Sequence, residues 1–366
     1  MVAIDWRELY AQNQAAIANA GVRLTAPPLA SLPEAIVPGV REHRPPERTA
    51  RGRARIERRR HQQAVPSPLR RGLCAAGPPL IHVPSGLDPS VPAPLVCMLH
   101  GCTQDPAMFA AATAMNESAD RHNFVVVYPG QRRGQNAQGC WNWFLPEHQQ
   151  RGAGEPELIA GIARRLIGAE SGPRIDPTRI FVAGLSSGGA MALILAACYP
   201  DLFAAVAVHS GLPYRSAHNV ASAFAVMGHA DANETPDGAA IHAAMGAHAR
   251  TVPSLVIHGT ADRTVAPKNA NNILAQSMYA NRLAAPETCE HDPAKPDTTQ
   301  RLKADGGLLY TRRQWIDARG VLMHESIEVH DLGHAWSGGA PGGSYTDPRG
   351  PSATEAISAF FADSRE

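Results

Sequence analysis

The sequence predicts an α/β protein in which helices cover both faces of a mostly parallel central sheet. From about residue 79 onward, short apolar runs bounded by Gly, Pro and Asp alternate with longer segments of helical periodicity. One of these runs also leads through a glycine-rich turn directly into a helix of small residues. Such alternation is typical of parallel sheets, whose strands are connected by helices. The predicted strands span 95–99, 124–128, 179–183, 204–208, 254–258, 308–314 and 326–330, and the predicted helices span 107–121, 155–170, 188–198 and 352–362.

The composition is that of a globular protein. The 366 residues, 44% of them hydrophobic, suffice for one large core. A formal net charge of +1 gives no reason to expect a nucleic-acid partner, and no apolar run reaches the roughly 18 residues of a membrane span. The first thirty residues lack the pattern of a secretory signal. We therefore expect a cytoplasmic protein, with secretion as the less favoured alternative, whereas the oligomeric state stays open.

The chain divides into three predicted segments. Residues 1–20 place apolar side chains at helical spacing behind a candidate N-cap, Asp5, which predicts a short amphipathic helix. Residues 21–72 are predicted to be a flexible basic linker, because 41–71 hold eleven arginines against three glutamates. This linker is either a solvated arm without a specific partner or an electrostatic tether. Residues 73–366 form the predicted α/β domain.

The strongest functional signal is a Gly-x-Ser-x-Gly pentapeptide centred on Ser186. It follows the predicted strand 179–183 and precedes the predicted helix 188–198. In this setting the pentapeptide is typical of the nucleophile elbow of the α/β-hydrolase fold, which raises a serine hydroxyl above the sheet edge. Glycines on both sides avoid clashes with the neighbouring strand and helix. Ser186 is therefore the candidate nucleophile.

A serine nucleophile needs a general base, and the base needs an acid that fixes its tautomer. In this architecture the chain order is Ser, acid, His. Asp262 emerges just after the fifth predicted strand, and His334 lies in a loop beyond the last predicted strand. These two are the candidate acid and base. Asp231 is a weaker candidate acid because it follows no comparable strand, and His324 and His330 remain alternatives for the base.

Ester cleavage passes through an oxyanion that two N–H donors can stabilise. The residue after the nucleophile, Ser187, supplies the first candidate donor. The second is expected from the loop after an early strand, where His100-Gly101 leads to Cys102. We therefore expect the backbone N–H groups of Cys102 and Ser187 to form the oxyanion hole. The alternative for this loop is a plain turn at the end of a strand.

Several long sequence blocks closely resemble the polyhydroxybutyrate depolymerase family of esterases, over about residues 80–362. The blocks are LHGCTQDPAMFA, VVYPGQ, GCWNWFLPEHQQRGAGEPELIAGI, IFVAGLSSGGAMALILAACYPDLFAAVAVHSGLPY, VIHGTADRTVAPKNA and GHAWSGG. Their length and order make them more specific than the pentapeptide alone. The resemblance implies an α/β-hydrolase fold. It also implies Ser186, Asp262 and His334 as the triad and the N–H groups of Cys102 and Ser187 as the oxyanion donors.

The resemblance also implies where the substrate and two cysteines lie. It places pockets for a hydroxyalkanoate chain near the HSGLPY loop and near the tryptophan after the catalytic histidine, which here are Leu212, Tyr214 and Trp336. The alternative for Trp336 is packing that holds the histidine loop.

The family tends to carry the blocks containing Cys102 and Cys140 together, so these residues either approach each other or are unrelated buried thiols. Extracellular relatives carry a signal peptide and a polymer-binding domain, whereas this chain resembles the unexported members that act on storage granules.

The predicted activity is hydrolysis of the ester bonds of poly(3-hydroxybutyrate) or related short-chain polyhydroxyalkanoates through an acyl-serine, without a metal or cofactor. The surface of a polyhydroxyalkanoate granule is a further expected partner. The sequence leaves open a feruloyl, acetylxylan or broad polyester esterase on the same scaffold, because resemblance defines chemistry better than substrate. A protein of another class, which binds granules and hydrolyses esters only weakly, is the remaining alternative.

Overall fold

The computed structural model describes residues 77–169, 172–228 and 238–364. The predicted segments 1–20 and 21–72 lie outside the described residues. Within these ranges, a sheet of nine strands has the order β1-β3-β2-β4-β5-β6-β9-β8-β7. Its strands are β1 (Gly77–His82), β2 (Ala93–Leu99), β3 (Val125–Gly130), β4 (Ile175–Leu185), β5 (Ala205–His209), β6 (Ser254–Gly259), β7 (Thr298–Lys303), β8 (Leu309–Ile316) and β9 (Leu322–Val329).

The middle of the sheet is parallel and its edges are antiparallel. Strands β3, β2, β4, β5, β6 and β9 run parallel to one another, whereas β1, β8 and β7 pair antiparallel at the two edges. The fold class predicted from the sequence is thus confirmed. Because parallel strands point the same way, the carboxyl ends of β4, β5, β6 and β9 lie side by side along one edge of the sheet.

Helices cover both faces of the sheet. They are α1 (Pro106–Thr113), α2 (Met115–His122), α3 (Gly154–Ile167), α4 (Ser187–Cys198), α5 (Val220–Gly228), α6 (Gly238–Met245), α7 (Lys268–Ala284) and α8 (Ala353–Asp363). Alternate residues of β2 point to opposite faces: Leu95 and Cys97 join the core under α3, α4, α6 and α7, whereas Val96 and Met98 join the core under α1, α2 and α8. None of the helices described here is long and apolar enough to cross a membrane.

The helix predicted at 107–121 is two helices, α1 and α2, separated at Ala114. Ala114 has a left-handed backbone with φ of 52°. The last carbonyl groups of α1 bond to other parts of the fold: Ala112 accepts from the Ala340 amide at 2.9 Å, and Thr113 accepts from the Thr354 hydroxyl. These partners stabilise the end of α1, and a sequence pattern does not reveal them.

Five of the elements named above were not predicted, namely β1, β7, α5, α6 and α7. In α7 and β7 the reason is that polar residues hide the periodicity. Helix α7 buries Asn281, whose side chain bonds to both the N–H and the carbonyl of Val252 at 2.9 and 3.0 Å, and Gln276, which does the same for Tyr214 at 2.8 and 3.0 Å. Strand β7 is an edge strand without an apolar run. A buried amide that satisfies a neighbouring peptide group costs little, so it is tolerated where the pattern calls for an apolar residue.

Strand β9 begins earlier than its predicted start at residue 326. Its first residues include Glu325, which is buried yet paired with Arg312 through two bonds of 2.8 Å. His324 beside it is buried as well and bonds to the Ser254 hydroxyl at 2.8 Å. Charged and polar residues with such partners extend the strand beyond the apolar run from which it was predicted.

Candidate active site

Ser186 lies on a sharp turn between β4 and α4. Its φ of 58° and ψ of −120° are unusual for a residue with a side chain. A Cβ on Gly184 would come within 2.3 Å of the Gly188 oxygen, and a Cβ on Gly188 within 2.1 Å of the Leu99 oxygen, so both positions require glycine. The Ser186 amide donates to the His209 carbonyl at 2.9 Å. The turn therefore holds the Ser186 hydroxyl at the carboxyl edge of the sheet.

The candidate acid and base lie at this same edge. Asp262 follows β6 and His334 follows β9, its immediate neighbour in the sheet. The Nδ1 atom of His334 lies 2.8 Å from Oδ2 of Asp262. Because an ionised carboxylate only accepts, Nδ1 carries the hydrogen, and Nε2 of the neutral imidazole is left as an acceptor. This is the tautomer that a general base requires.

The loops that carry these two residues are bonded to each other. The amide of Thr260 donates to the Val329 carbonyl at 2.9 Å, and that of Ala261 donates to the Leu332 carbonyl at 3.0 Å. A Cβ on Gly259 would lie 2.2 Å from the Leu332 oxygen. The close approach that this glycine permits brings the histidine loop directly against the end of β6.

All four acceptor positions of the Asp262 carboxylate face donors. Oδ1 accepts from the amides of Thr264 and Val265, both at 2.9 Å, while Oδ2 faces His334 at 2.8 Å and Nε2 of His258 at 3.2 Å. Burial by itself raises the pKa of Asp262, but the bonds from the two histidines outweigh it and hold this pKa well below its usual range. Asp262 therefore stays ionised at neutral pH.

The two candidate oxyanion donors meet beside the nucleophile. Ser187 begins α4, and Sγ of Cys102 lies 3.5 Å from the Ser187 hydroxyl. The preceding residue, Gly101, donates its amide to the Gln104 side chain at 2.9 Å, and a Cβ on it would lie 3.6 Å from Cβ of Ser186. The Cys102 loop thus lies directly against the elbow, next to Ser187.

A disulfide joins Cys102 to Cys140. The resemblance to the depolymerase family suggests that these residues approach each other, and the structure pairs them. The loop of Cys102 is also held by the Thr103 amide, which donates to the Gln138 carbonyl at 2.7 Å. The disulfide therefore fixes the loop of one candidate oxyanion donor to the chain segment around residue 140.

Reduction of this disulfide should lower the stability of the protein. It closes a loop across a sequence separation of 38, for which the chain-entropy relation gives about 4 kcal/mol at 25 °C. We expect a reductant to lower the free energy of unfolding by about 2–4 kcal/mol, as measured by urea denaturation. A variant that carries Cys102→Ser and Cys140→Ser should show the same lower value and no response to reductant. Equal stability with and without reductant in the unmodified protein would contradict the expectation.

The alternative acid and base candidates are placed elsewhere or not described. His324 is buried within β9, and burial lowers its pKa to about 3. His330 bonds to the Thr311 side chain at 3.1 Å, on the side of β8. Asp231 lies outside the described residues. Of the three histidines considered for the base, His334 is the one whose ring bonds to Asp262.

The three residues predicted to bind substrate are inside the protein. Leu212, Tyr214 and Trp336 are each at most 1% exposed. The Tyr214 hydroxyl donates to the Gln149 carbonyl at 2.6 Å. A substrate at the sheet edge does not reach side chains buried in this way, so the prediction of substrate contact is corrected for all three. The resemblance carried no information on which way each side chain points.

Trp336 instead connects the histidine loop to the core, which is the alternative that the sequence left open. Its ring stacks on His209 with centroids 5.1 Å apart, and its Nε1 donates to the Thr354 hydroxyl at 3.1 Å. Nε2 of His209 accepts from the Ser337 amide at 3.1 Å, and burial lowers the pKa of His209 to about 3. His209 is therefore neutral, and its side chain holds the loop after His334. Its backbone carbonyl holds the elbow, because it accepts from the Ser186 amide.

Tyr345 is an aromatic residue at the site that the sequence did not single out. Its ring meets that of His334 edge-on, with centroids 6.3 Å apart, and its hydroxyl lies 3.5 Å from the Thr103 hydroxyl, next to Cys102. Both Tyr345 and Thr103 have positive φ, 52° and 65°, which is rare for bulky or β-branched residues and is concentrated at functional sites. Tyr345 is half-buried and lies between the base and the oxyanion loop.

Comparison with known proteins identifies relatives that are esterases. A family model described as Esterase PHB depolymerase matches residues 81–289. Poly(3-hydroxyalkanoate) depolymerase C of Paucimonas lemoignei is 35% identical over 69% of this chain and 57% of that protein. Feruloyl esterase B of Thermothelomyces thermophilus is 29% identical over 69% of this chain and 85% of that protein. The match to the depolymerase thus spans little more than half of that relative's length.

A solved structure supports the fold. The acetyl xylan esterase from Aspergillus awamori aligns with a TM-score of 0.60 at 22% identity, covering 78% of this chain and 93% of that one. At this identity the likeness concerns the fold alone. The family model, in contrast, covers more than half of the chain and includes both Ser186 and Asp262. The chain belongs to the polyhydroxybutyrate depolymerase family of esterases, and its fold is the α/β-hydrolase fold.

Proposed function

We propose that this protein is a serine esterase, with Ser186 as nucleophile, His334 as general base and Asp262 as the acid that orients the histidine. The observation that carries the proposal is the 2.8 Å bond between Nδ1 of His334 and Asp262, at the sheet edge where the elbow presents Ser186. The four donors around Asp262 keep it charged, so that it can stabilise the imidazolium formed during the reaction.

The proposed cycle has two halves. His334 Nε2 takes the proton of the Ser186 hydroxyl as its oxygen attacks the ester carbonyl, and the N–H groups of Cys102 and Ser187 stabilise the oxyanion. The carbon–oxygen bond then breaks, and the alcohol leaves with the proton from His334. Water, deprotonated by the same histidine, attacks the acyl-serine. The acid is released and Ser186 regains its proton.

We propose poly(3-hydroxybutyrate) or a related short-chain polyhydroxyalkanoate as the substrate. The 35% identity to a poly(3-hydroxyalkanoate) depolymerase supports this choice, and the surface of a polymer granule is then the proposed partner. A feruloyl ester is the second candidate, because the match to feruloyl esterase B covers 85% of that protein, against 57% of the depolymerase. Both substrates contain an ester carbonyl that the same triad can attack.

The substrate proposal is tested by release of 3-hydroxybutyrate from amorphous polymer granules, measured beside a feruloyl ester, an acetylated xylan and p-nitrophenyl butanoate. Rapid release from granules supports the depolymerase activity. Cleavage of the feruloyl or acetyl ester without release from granules would move the function to a plant-polymer esterase. Heat-denatured protein serves as the control for spontaneous hydrolysis.

The disulfide bears on the proposed location. The sequence favours the cytoplasm, with secretion as the alternative. Disulfides persist in oxidising compartments and are rare in the cytosol, so the pairing of Cys102 with Cys140 supports the secreted alternative. A protein that acts outside the cytoplasm would meet its polymer as an external substrate.

We further propose that Tyr345 contacts the acyl chain of the substrate. An ester bound between Ser186 and the oxyanion donors lies beside His334, which the Tyr345 ring meets edge-on. The ring is half-buried, so part of its surface remains free for a ligand. An aromatic ring also binds short aliphatic chains through its apolar face. Tyr345 thus takes the place that the sequence assigned to Trp336.

Tyr345→Ala should reduce the preference for longer acyl chains. Butanoate has two methylene groups more than acetate, and their contact with the ring contributes about 1.6 kcal/mol, or about tenfold. We expect kcat/KM for p-nitrophenyl butanoate to fall about tenfold more than that for the acetate. Tyr345→Phe, which removes only the hydroxyl, should keep the preference. An unchanged ratio in Tyr345→Ala would refute the contact, and this ratio does not depend on how much of the protein is folded.

A further inference from the structure

A second histidine approaches the carboxylate of the candidate acid. His258 is the fifth residue of β6, and its side chain is 3% exposed. Its Nε2 lies 3.2 Å from Oδ2 of Asp262, the same oxygen that accepts from His334 at 2.8 Å. A catalytic acid needs only one histidine partner, which here is His334. The second histidine therefore needs a physical explanation of its own.

The neighbours of His258 define where its proton lies. Nε2 is 3.0 Å from the carbonyl oxygen of Val265, which only accepts hydrogen bonds, so Nε2 carries the hydrogen. Nδ1 is buried and has no hydrogen-bond partner among the residues that the structure describes. A second N–H at that position would be buried without an acceptor, which is costly. Nε2 of His258 is therefore an N–H donor within reach of both the Val265 carbonyl and Asp262.

The same short turn supplies the remaining bonds of the carboxylate. Oδ1 of Asp262 accepts from the amides of Thr264 and Val265, and the carbonyl of Val265 faces His258. The amide of Val265 thus binds the carboxylate of Asp262. The carbonyl of the same residue binds His258, at the end of β6. With Oδ1 held by the turn, the N–H of His258 limits the rotation of Oδ2. The position of Oδ2 in turn directs the ring of His334.

We propose that His258 is a positioning residue, which holds Oδ2 of Asp262 in the orientation that aligns His334 with Ser186. The inference rests on the proposed triad. His258 does not touch the substrate or the reacting atoms, and it acts through Asp262. Its removal should therefore lower kcat while leaving KM nearly unchanged, because misalignment of the base affects the chemical step and not the binding of the ester.

The test compares variants of similar shape that differ in the N–H donor. Gln carries an amide nitrogen at about the reach of Nε2, whereas Met has a similar length and no donor. We expect His258→Met to lower kcat for p-nitrophenyl butanoate by about tenfold to a hundredfold, and His258→Gln to restore it to within about threefold of the unmodified protein. His258→Asn, whose amide is one methylene shorter, should resemble Met. It provides the same comparison if the Met variant does not fold.

Labelling with a fluorophosphonate that reacts with activated serines separates positioning from folding. The final extent of labelling counts the folded sites, and the rate of labelling reports how well Ser186 is activated. Slow labelling to full extent in His258→Met, with rescue by Gln, supports the proposal. Equal losses in the Gln, Asn and Met variants, or unchanged kcat in fully folded His258→Met, would overturn it. Full activity of Ser186→Ala, measured in parallel, would overturn the triad and the role of His258 together.

Discussion

Ser186→Ala is expected to lower kcat for ester hydrolysis by roughly 10⁵- to 10⁶-fold, the size of effect seen when a serine hydrolase loses its nucleophile. In the proposed mechanism the Ser186 hydroxyl oxygen forms the acyl-enzyme, and the variant lacks this atom. The fold should not change, because the bonds that hold this turn come from the backbone: the amide of residue 186 donates to His209 and its carbonyl accepts from Ala190 at 3.0 Å. The rate of p-nitrophenyl butanoate cleavage measures the loss.

A second serine offers a matched control for this variant. The Ser277 hydroxyl is buried and has no hydrogen-bond partner among the described residues, so Ser277→Ala makes the same chemical change without loss of a bond. We expect its activity and thermal stability to stay close to those of the unmodified protein. If purified Ser186→Ala kept a tenth or more of the activity, the proposed nucleophile would be wrong.

The positions of the three residues of the proposed triad could be predicted because they follow from topology. An elbow serine, an acid after one strand and a histidine after another must meet if those strands are parallel and close in the sheet. The sequence showed apolar runs ahead of Ser186 and Asp262, and the structure places the corresponding strands, β4 and β6, on either side of β5. The structure pairs Asp262 with His334 and places Ser186 at the same edge of the sheet.

Side-chain direction and buried polar contacts could not be predicted in the same way. Trp336 and Tyr345 are both aromatic residues in the chain after the last large strand, yet one is fully buried and the other is half-exposed beside His334. The difference depends on a left-handed backbone at Tyr345 and on the stacking of Trp336 on His209. The role of His258 was hidden for a similar reason, since its position at a strand end is equally typical of a core residue.

Asp262→Asn is expected to lower kcat by roughly 10⁴-fold, through the tautomer of the histidine and not through a loss of fold. Oδ1 of Asp262 accepts two amide hydrogens from Thr264 and Val265, so the Asn side chain must keep its oxygen there. Its NH₂ group then faces Nδ1 of His334. That nitrogen becomes an acceptor, the ring hydrogen moves to Nε2, and His334 loses the lone pair that takes the proton of Ser186.

The control for this variant makes the same change a few residues from the base. Asp331 is exposed and has φ of 60°, a conformation that Asn adopts readily, so Asp331→Asn should keep nearly full activity. Fluorophosphonate labelling of Asp262→Asn should be slow and should still reach full extent, which shows that the site is folded and that the serine is poorly activated. A variant that labels at the normal rate would mean that Asp262 does not set the tautomer of His334. The acid would then have to be sought among other residues near the histidine, because the Nδ1 hydrogen would need a different acceptor.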